Sequence, residues 1–165
     1  MRANDIDRLP RRRRRRSPRA PRAALATVAT LVLGLTACTG PARTTSAYED
    51  KATETADEVV SASRTVLLAA QVGDEGRSLP PTTAVTIADA ETDAQTARDA
   101  FASIQPPDQT SDQIRSTLLP AVQHACDVIA DVRIAARRAD TNLSQIATPL
   151  QQIADQLEGF STRYG

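Results

Sequence analysis

The sequence predicts an all-α protein: an antiparallel up-down four-helix bundle that follows a cleaved signal peptide. Three features carry that prediction. Apolar residues recur at alternating spacings of four and three through four long stretches, the period of a helix buried along one face. Pro-Pro pairs and glycines fall between the stretches, where they can end helices. A basic run and a short apolar segment precede all of them, in the order of a secretory signal.

The basic zone is dense. Arg11 to Arg16 are uninterrupted and are joined by Arg2, Arg8, Arg19 and Arg22, against only Asp5 and Asp7. Such a block of like charge stays solvated or sits on anionic head groups. The apolar zone, residues 23–37, is built of Ala, Leu, Val, Thr and one Gly. It is shorter than the roughly 20 residues of a spanning helix and suits a signal peptide instead. A cytosolic nucleic-acid-binding arm would explain the arginines but not the apolar zone behind them. Ser17, Pro18 and Arg19 follow the arginine run where a twin-arginine signal would place apolar residues, which favours general secretion.

Leu35-Thr36-Ala37-Cys38 closes this zone. The pattern resembles the lipobox of bacterial lipoproteins: a branched apolar residue, a small or hydroxylated one, a small one, then cysteine. The resemblance covers the first 38 residues. It implies that Leu35, Thr36 and Ala37 are read by the signal peptidase, and that Cys38 takes diacylglycerol on its thiol and becomes the new N-terminus. In such lipoproteins the amine of this cysteine is often acylated as well. Two or three chains hold a protein durably on a bilayer, since each buried methylene contributes about 0.8 kcal/mol. The expected organisation is a signal peptide over residues 1–37, a lipid-anchored tether over 38–45 and a helical domain over 46–165. The expected location is the extracytoplasmic face of the cell membrane. The alternatives are an ordinary signal peptide cut elsewhere, for instance after Ala37 without lipidation, or an uncleaved signal anchor.

Ten of the 20 basic residues and two of the 20 acidic ones precede Cys38, so the chain from Cys38 onward carries a net charge of −8. That disfavours nucleic acid as a partner of the folded part. Two Phe, two Tyr and no Trp leave Ala, Val, Leu and Ile to fill the core. With Cys38 acylated, Cys126 has no partner for a disulfide, and it reads as a small apolar core residue. The many arginines, single lysine and abundant Ala and Thr are similar to the composition of small helical actinobacterial lipoproteins, a resemblance that implies location and not activity.

The first helix is expected to open at the capping box Ser46-x-x-Glu49. Its apolar stripe is Ala52, Ala56, Val59, Ser63, Val66 and Ala70, with Gly73 and Gly76 ending it. Residues 77–82, with Pro80-Pro81, read as a loop. The second helix then runs from about Thr83 with stripe Ile87, Ala90, Ala94, Ala97, Phe101 and Ile104, and Pro106-Pro107 stops it. A second capping box, Thr110-x-x-Gln113, opens the third helix, whose stripe is Ile114, Leu118, Val122, Ala125, Ile129, Val132 and Ala136. The stripe stays in phase across Pro120, so a kink and not an end is expected there. The fourth helix opens near Thr141 or Asn142 with stripe Leu143, Ile146, Leu150, Ile153, Leu157 and Phe160. Pro149 makes it either two pieces or one kinked helix.

Catalytic chemistry has few carriers here. His124 is the single histidine, and its spacing from Cys126 puts the two on different sides of a helix. No Glu-x-x-His pair, Gly-x-Ser-x-Gly elbow, phosphate loop or dinucleotide fingerprint occurs. Asp89 and Asp93, like Asp127 and Asp131, lie one turn apart without calcium-loop chemistry around them and read as solvated acidic faces. Charge gathers on the third helix at Asp127, Asp131, Arg133, Arg137 and Arg138, either as a salt-bridged outer face or as a docking surface. The expectation is a non-catalytic protein with no metal or cofactor, bound to membrane lipid through the acylated cysteine and acting as a binding or scaffolding module for an envelope protein. The alternative is a carrier of an apolar small molecule or lipid, with Leu118, Val122, Leu150 and Ile153 lining the space between helices.

Overall fold

A computed structural model describes residues 42–165. Leu35, Thr36, Ala37 and Cys38 lie outside the described residues. The described part is an all-α helical bundle built from α1 (Thr45–Asp74), α2 (Pro80–Ser103), α3 (Gln109–Arg137), a short α4 (Leu143–Ala147) and α5 (Pro149–Tyr164). Among the described residues no helix is long and apolar enough to cross a membrane.

Thr44, and not Ser46, caps α1. Its backbone is extended and its hydroxyl accepts from the Ala47 N–H at 3.2 Å. Three hydroxyl residues follow one another here, and the first with extended backbone takes the cap. Thr45 instead donates to the Asp108 carboxylate, tying the start of α1 to the start of α3. Ala42 is 8% exposed and packs into the core, so the chain is already held before the helix begins.

The end of α1 is a Schellman motif: the Arg77 N–H reaches the Val72 carbonyl and the Gly76 N–H the Gly73 carbonyl, both at 3.0 Å. Gly76 supplies the positive φ of 68° that this motif requires. Gly73 has a different task inside the helix. A Cβ there would stand 3.0 Å from Thr83 Cγ2, so the glycine lets α2 approach.

α2 begins three residues earlier than its apolar pattern suggests. Pro80 and Pro81 are its first turn rather than part of a loop. Leu79 is extended, as a residue before proline prefers, and the missing proline N–H groups belong to positions that lack helical partners in any case. α3 is capped by Asp108, whose Oδ1 accepts from the Ser111 N–H at 2.8 Å, and not by Thr110. It runs unbroken through Pro120, whose side chain is exposed.

α3 also ends in a Schellman pattern, with Asp140 N–H to Ala135 O at 3.2 Å and Ala139 N–H to Ala136 O at 3.1 Å. Here the left-handed position is Ala139, at φ 58°. The last helical segment is two pieces. Thr148 stays in right-handed helical conformation and donates its hydroxyl to the Ser144 carbonyl, while Pro149 starts α5.

α1 is the hub. It packs against every other helix, whereas α2 touches only α1 and α3 and has no contact with α5. Late residues of one helix meet early residues of the next. Gly73 faces Thr83, and the Tyr48 and Phe101 rings meet at a tilt of 51° with centroids 5.2 Å apart. Early in α3, Arg115 donates to the Ala102 and Ile104 carbonyls at the end of α2, both at 2.7 Å. A cation there complements the negative end of the α2 dipole. Arg64 of α1 pairs with Glu158 of α5.

The core is one cluster of small and branched side chains. Alanines let the helices come close, and the fully buried Ser63 hydroxyl donates to the Val59 carbonyl within its own helix at 2.7 Å. Glu91 is the exception in charge. It is buried between α2 and α3 beside Arg133, the two side chains being 11% and 22% exposed.

Candidate functional site

The α1 and α2 surfaces flanking their buried stripes form a groove of about 470 Å³. From α1 come Glu58, Ser61, Ala62 and Thr65. From α2 come Thr86, Asp89, Ala90, Asp93, Thr96 and Ala97. Spacings of three and one along each helix give one face per helix, and small residues at Ala62, Ala90 and Ala97 let the floor sit deep.

Every polar side chain in this lining presents an acceptor oxygen, and Ser61 can also donate. Glu58, Asp89 and Asp93 bring three carboxylates. Three threonines commit their protons to backbone carbonyls one turn back: Thr65 to Ser61 at 2.9 Å, Thr86 to Thr82 at 3.1 Å and Thr96 to Thr92 at 2.7 Å. Their oxygen lone pairs remain outward. Among the described residues, no lysine, arginine, histidine or amide side chain lines the groove. Partial burial, followed by the charge of Glu54 and, more weakly, of Asp93, pushes the Glu58 carboxyl above its ordinary range, against the pull of Lys51.

The four residues expected to line an apolar chamber, Leu118, Val122, Leu150 and Ile153, are all buried in the core cluster, and none lines this groove. His124 is exposed on α3, while Cys126 is buried on the other side of the helix, so the two do not converge. Burial raises the Cys126 thiol above its ordinary pKa, with Arg98 opposing. Among the described residues no group of three or more His, Cys, Asp or Glu side chains is placed to hold a metal ion.

No protein-family model, curated protein or solved structure matches the sequence. The residues alone therefore define what the site can do.

Sequence reasoning picked out Asp89 and Asp93 as a one-turn pair but not Glu58, which joins them only through helix packing. Its signal was present in weak form: Glu58, Ser61 and Thr65 follow helical spacing immediately beside the stripe residues Val59 and Val66. On α3, Asp127 accepts from Gln123 Nε2 at 2.8 Å, and Gln123 accepts from Arg98 at 3.4 Å. Arg133 turns inward to Glu91. Part of the charge on α3 is thus bound up in the seam with α2.

Proposed function

We propose that this chain is a lipid-anchored envelope protein that works by binding and not by catalysis, with the α1/α2 groove taking a basic segment of a neighbouring envelope protein. The observation that carries this reading is the composition of the groove wall: carboxylates and outward hydroxyl oxygens, with no cationic side chain among the described residues. Such a wall has acceptors without donors of matching charge, so its complement is a donor-rich cation. The net charge of −8 from Cys38 onward adds long-range attraction for the same partner. The lipobox at Leu35 to Cys38 supplies the location, where a tethered domain meets other surface proteins at high effective concentration.

The test is calorimetric titration of the detergent-extracted protein with a lysine decapeptide at low salt, beside a Glu58→Gln, Asp89→Asn, Asp93→Asn variant. All three positions are exposed, and removing their mutual repulsion leaves the fold intact. The reading expects saturable binding that weakens at least about tenfold in the variant and declines with added salt. Absence of binding, or equal binding by the variant, contradicts it.

A further inference from the structure

Ala42 is 8% exposed and sits in the core, and only Thr39, Gly40 and Pro41 separate it from Cys38. Four Cα–Cα steps span at most about 14 Å. With 30 residues, α1 is about 45 Å long. Acyl chains on Cys38 would thus hold one end of the bundle close to the bilayer and leave the other out of reach of an upright molecule. We propose that this near end, made by residues 43–45 and the α2–α3 connection at 100–108, docks on the phospholipid headgroup layer, with α1 rising away from the membrane. The inference rests on acylation of Cys38 and adds to it the face that meets the lipid.

Three helix ends are joined at this face. The start of α1 is tied to the start of α3 through Thr45 and Asp108. The end of α2 is held by Arg115, which donates to the Ala102 and Ile104 carbonyls at 2.7 Å, and by the contact of Phe101 with Tyr48. A short tether attached to any one of them therefore positions all three.

The chemistry of the face fits headgroups. Residues 100–107 carry no charge, and Gln105 and Pro107 are exposed while Ile104 and Pro106 are half-buried. Asp108, the one carboxylate of the connection, is already engaged by the Thr45 hydroxyl and the Ser111 N–H. Arg115 covers the α2 carbonyls that would otherwise turn negative charge toward lipid phosphate. Arg43 is exposed next to Ala42 and offers phosphate a planar guanidinium. The nearest free carboxylates in sequence, Glu49, Asp50 and Asp112, stand back from the helix starts by about one turn of 5.4 Å.

The opposite end has a different character. Asp74, Glu75 and Arg77 crowd the turn after α1, and Arg137, Arg138 and Asp140 the turn after α3. The flanks are no better suited to lipid: a bundle lying on its side would press exposed carboxylates, Asp89 and Asp93 or Asp127 and Asp131, against lipid phosphates. An upright bundle also fixes the height of the α1/α2 groove. Glu58 and Thr65 lie about 20 and 30 Å along α1 from Thr45, so the basic segment of a partner must reach that far from the headgroups.

The chain has no tryptophan, so a single one reports its own position. Gln105→Trp marks the docked end and Leu79→Trp the far end, both at exposed positions. The membrane-extracted protein is reconstituted into phosphatidylcholine–phosphatidylglycerol vesicles in which a share of the lipid carries a nitroxide on its headgroup, and flotation is followed beside fluorescence. The expected result is a chain that floats with the vesicles, with fluorescence lost in Gln105→Trp and kept in Leu79→Trp. Adding Arg43→Glu and Pro107→Glu to Gln105→Trp restores much of the lost fluorescence without releasing the chain, because anionic lipid then repels the face. Flotation with equal quenching of the two tryptophans, or of neither, overturns the docked face and leaves the anchor standing. Quenching of Gln105→Trp that the two glutamates leave unchanged overturns it as well. A chain that does not float overturns the anchor and the docked face with it.

Discussion

Asp74, in the last turn of α1, caps the helix that begins at Leu143: its Oδ1 accepts from the Leu143 N–H at 3.0 Å and its Oδ2 from the Ser144 N–H at 2.8 Å. The local candidate, Asn142, makes no side-chain cap. A capping residue placed 69 positions away converts a local requirement of α4 into a tertiary contact. It also fixes where the turn after α3 must lie.

Replacing Asp74 with Ala is expected to destabilise the fold by about 1–2 kcal/mol in denaturant unfolding, the cost of a lost helix cap. Burial alone would raise the Asp74 carboxyl, but its bonds to the Ser144 N–H and hydroxyl and to the Leu143 N–H outweigh it and hold the group below the usual aspartate range. A depressed folded pKa means that the contribution is full above the unfolded value of about 3.9 and disappears as pH falls through the folded one. Wild type and Asp74→Ala therefore differ at neutral pH and converge in acid. A gap that persists in strong acid would show that the carboxylate is not the source.

Two equivalent turns make opposite predictions. α1 ends with Gly76 in the left-handed conformation, and α3 ends with Ala139 there. A side chain in that region costs roughly 1–2 kcal/mol, less what glycine loses in unfolded-state entropy. Ala139→Gly should raise stability by about 0.5–1 kcal/mol, and Gly76→Ala should lower it by about 1 kcal/mol, both read from thermal or urea unfolding. Equal effects in the same direction would contradict the turn geometry.

The Glu91–Arg133 pair sits where neither charge is well hydrated. Glu91→Leu alone leaves Arg133 partly buried without its counter-charge and should cost about 3 kcal/mol. Adding Arg133→Met should recover most of that loss, because two apolar side chains suit the seam. A double variant no more stable than the single one would show that the pair matters for packing and not for charge.

Much of the helical core was legible from spacing. All of the α3 stripe from Ile114 to Ala136 is buried, as is all of the α1 stripe from Ala52 to Ala70. Helix starts were read less well, for a physical reason. Hydroxyl and acidic residues crowd each start, and the choice among Thr44, Thr45 and Ser46, or between Asp108 and Thr110, depends on which one has extended backbone and which one is drawn to another helix. Glu91 escaped notice because it breaks the apolar pattern, its carboxylate being partnered by Arg133 and by the Gln95 amide. The groove was legible in part: Asp89 and Asp93 stand out as a pair, but Glu58 across from them is brought in only by packing.

Location underlies the functional account, and it turns on Cys38. The most direct measurement is the intact mass of the protein extracted from membranes, beside a Cys38→Ala variant. A chain that starts at Cys38 and carries added acyl mass, with the variant left as precursor or released, is the predicted result. A full-length chain with an unmodified Cys38 would contradict it and return the arginine run at Arg11 to Arg16 to the protein as a functional element.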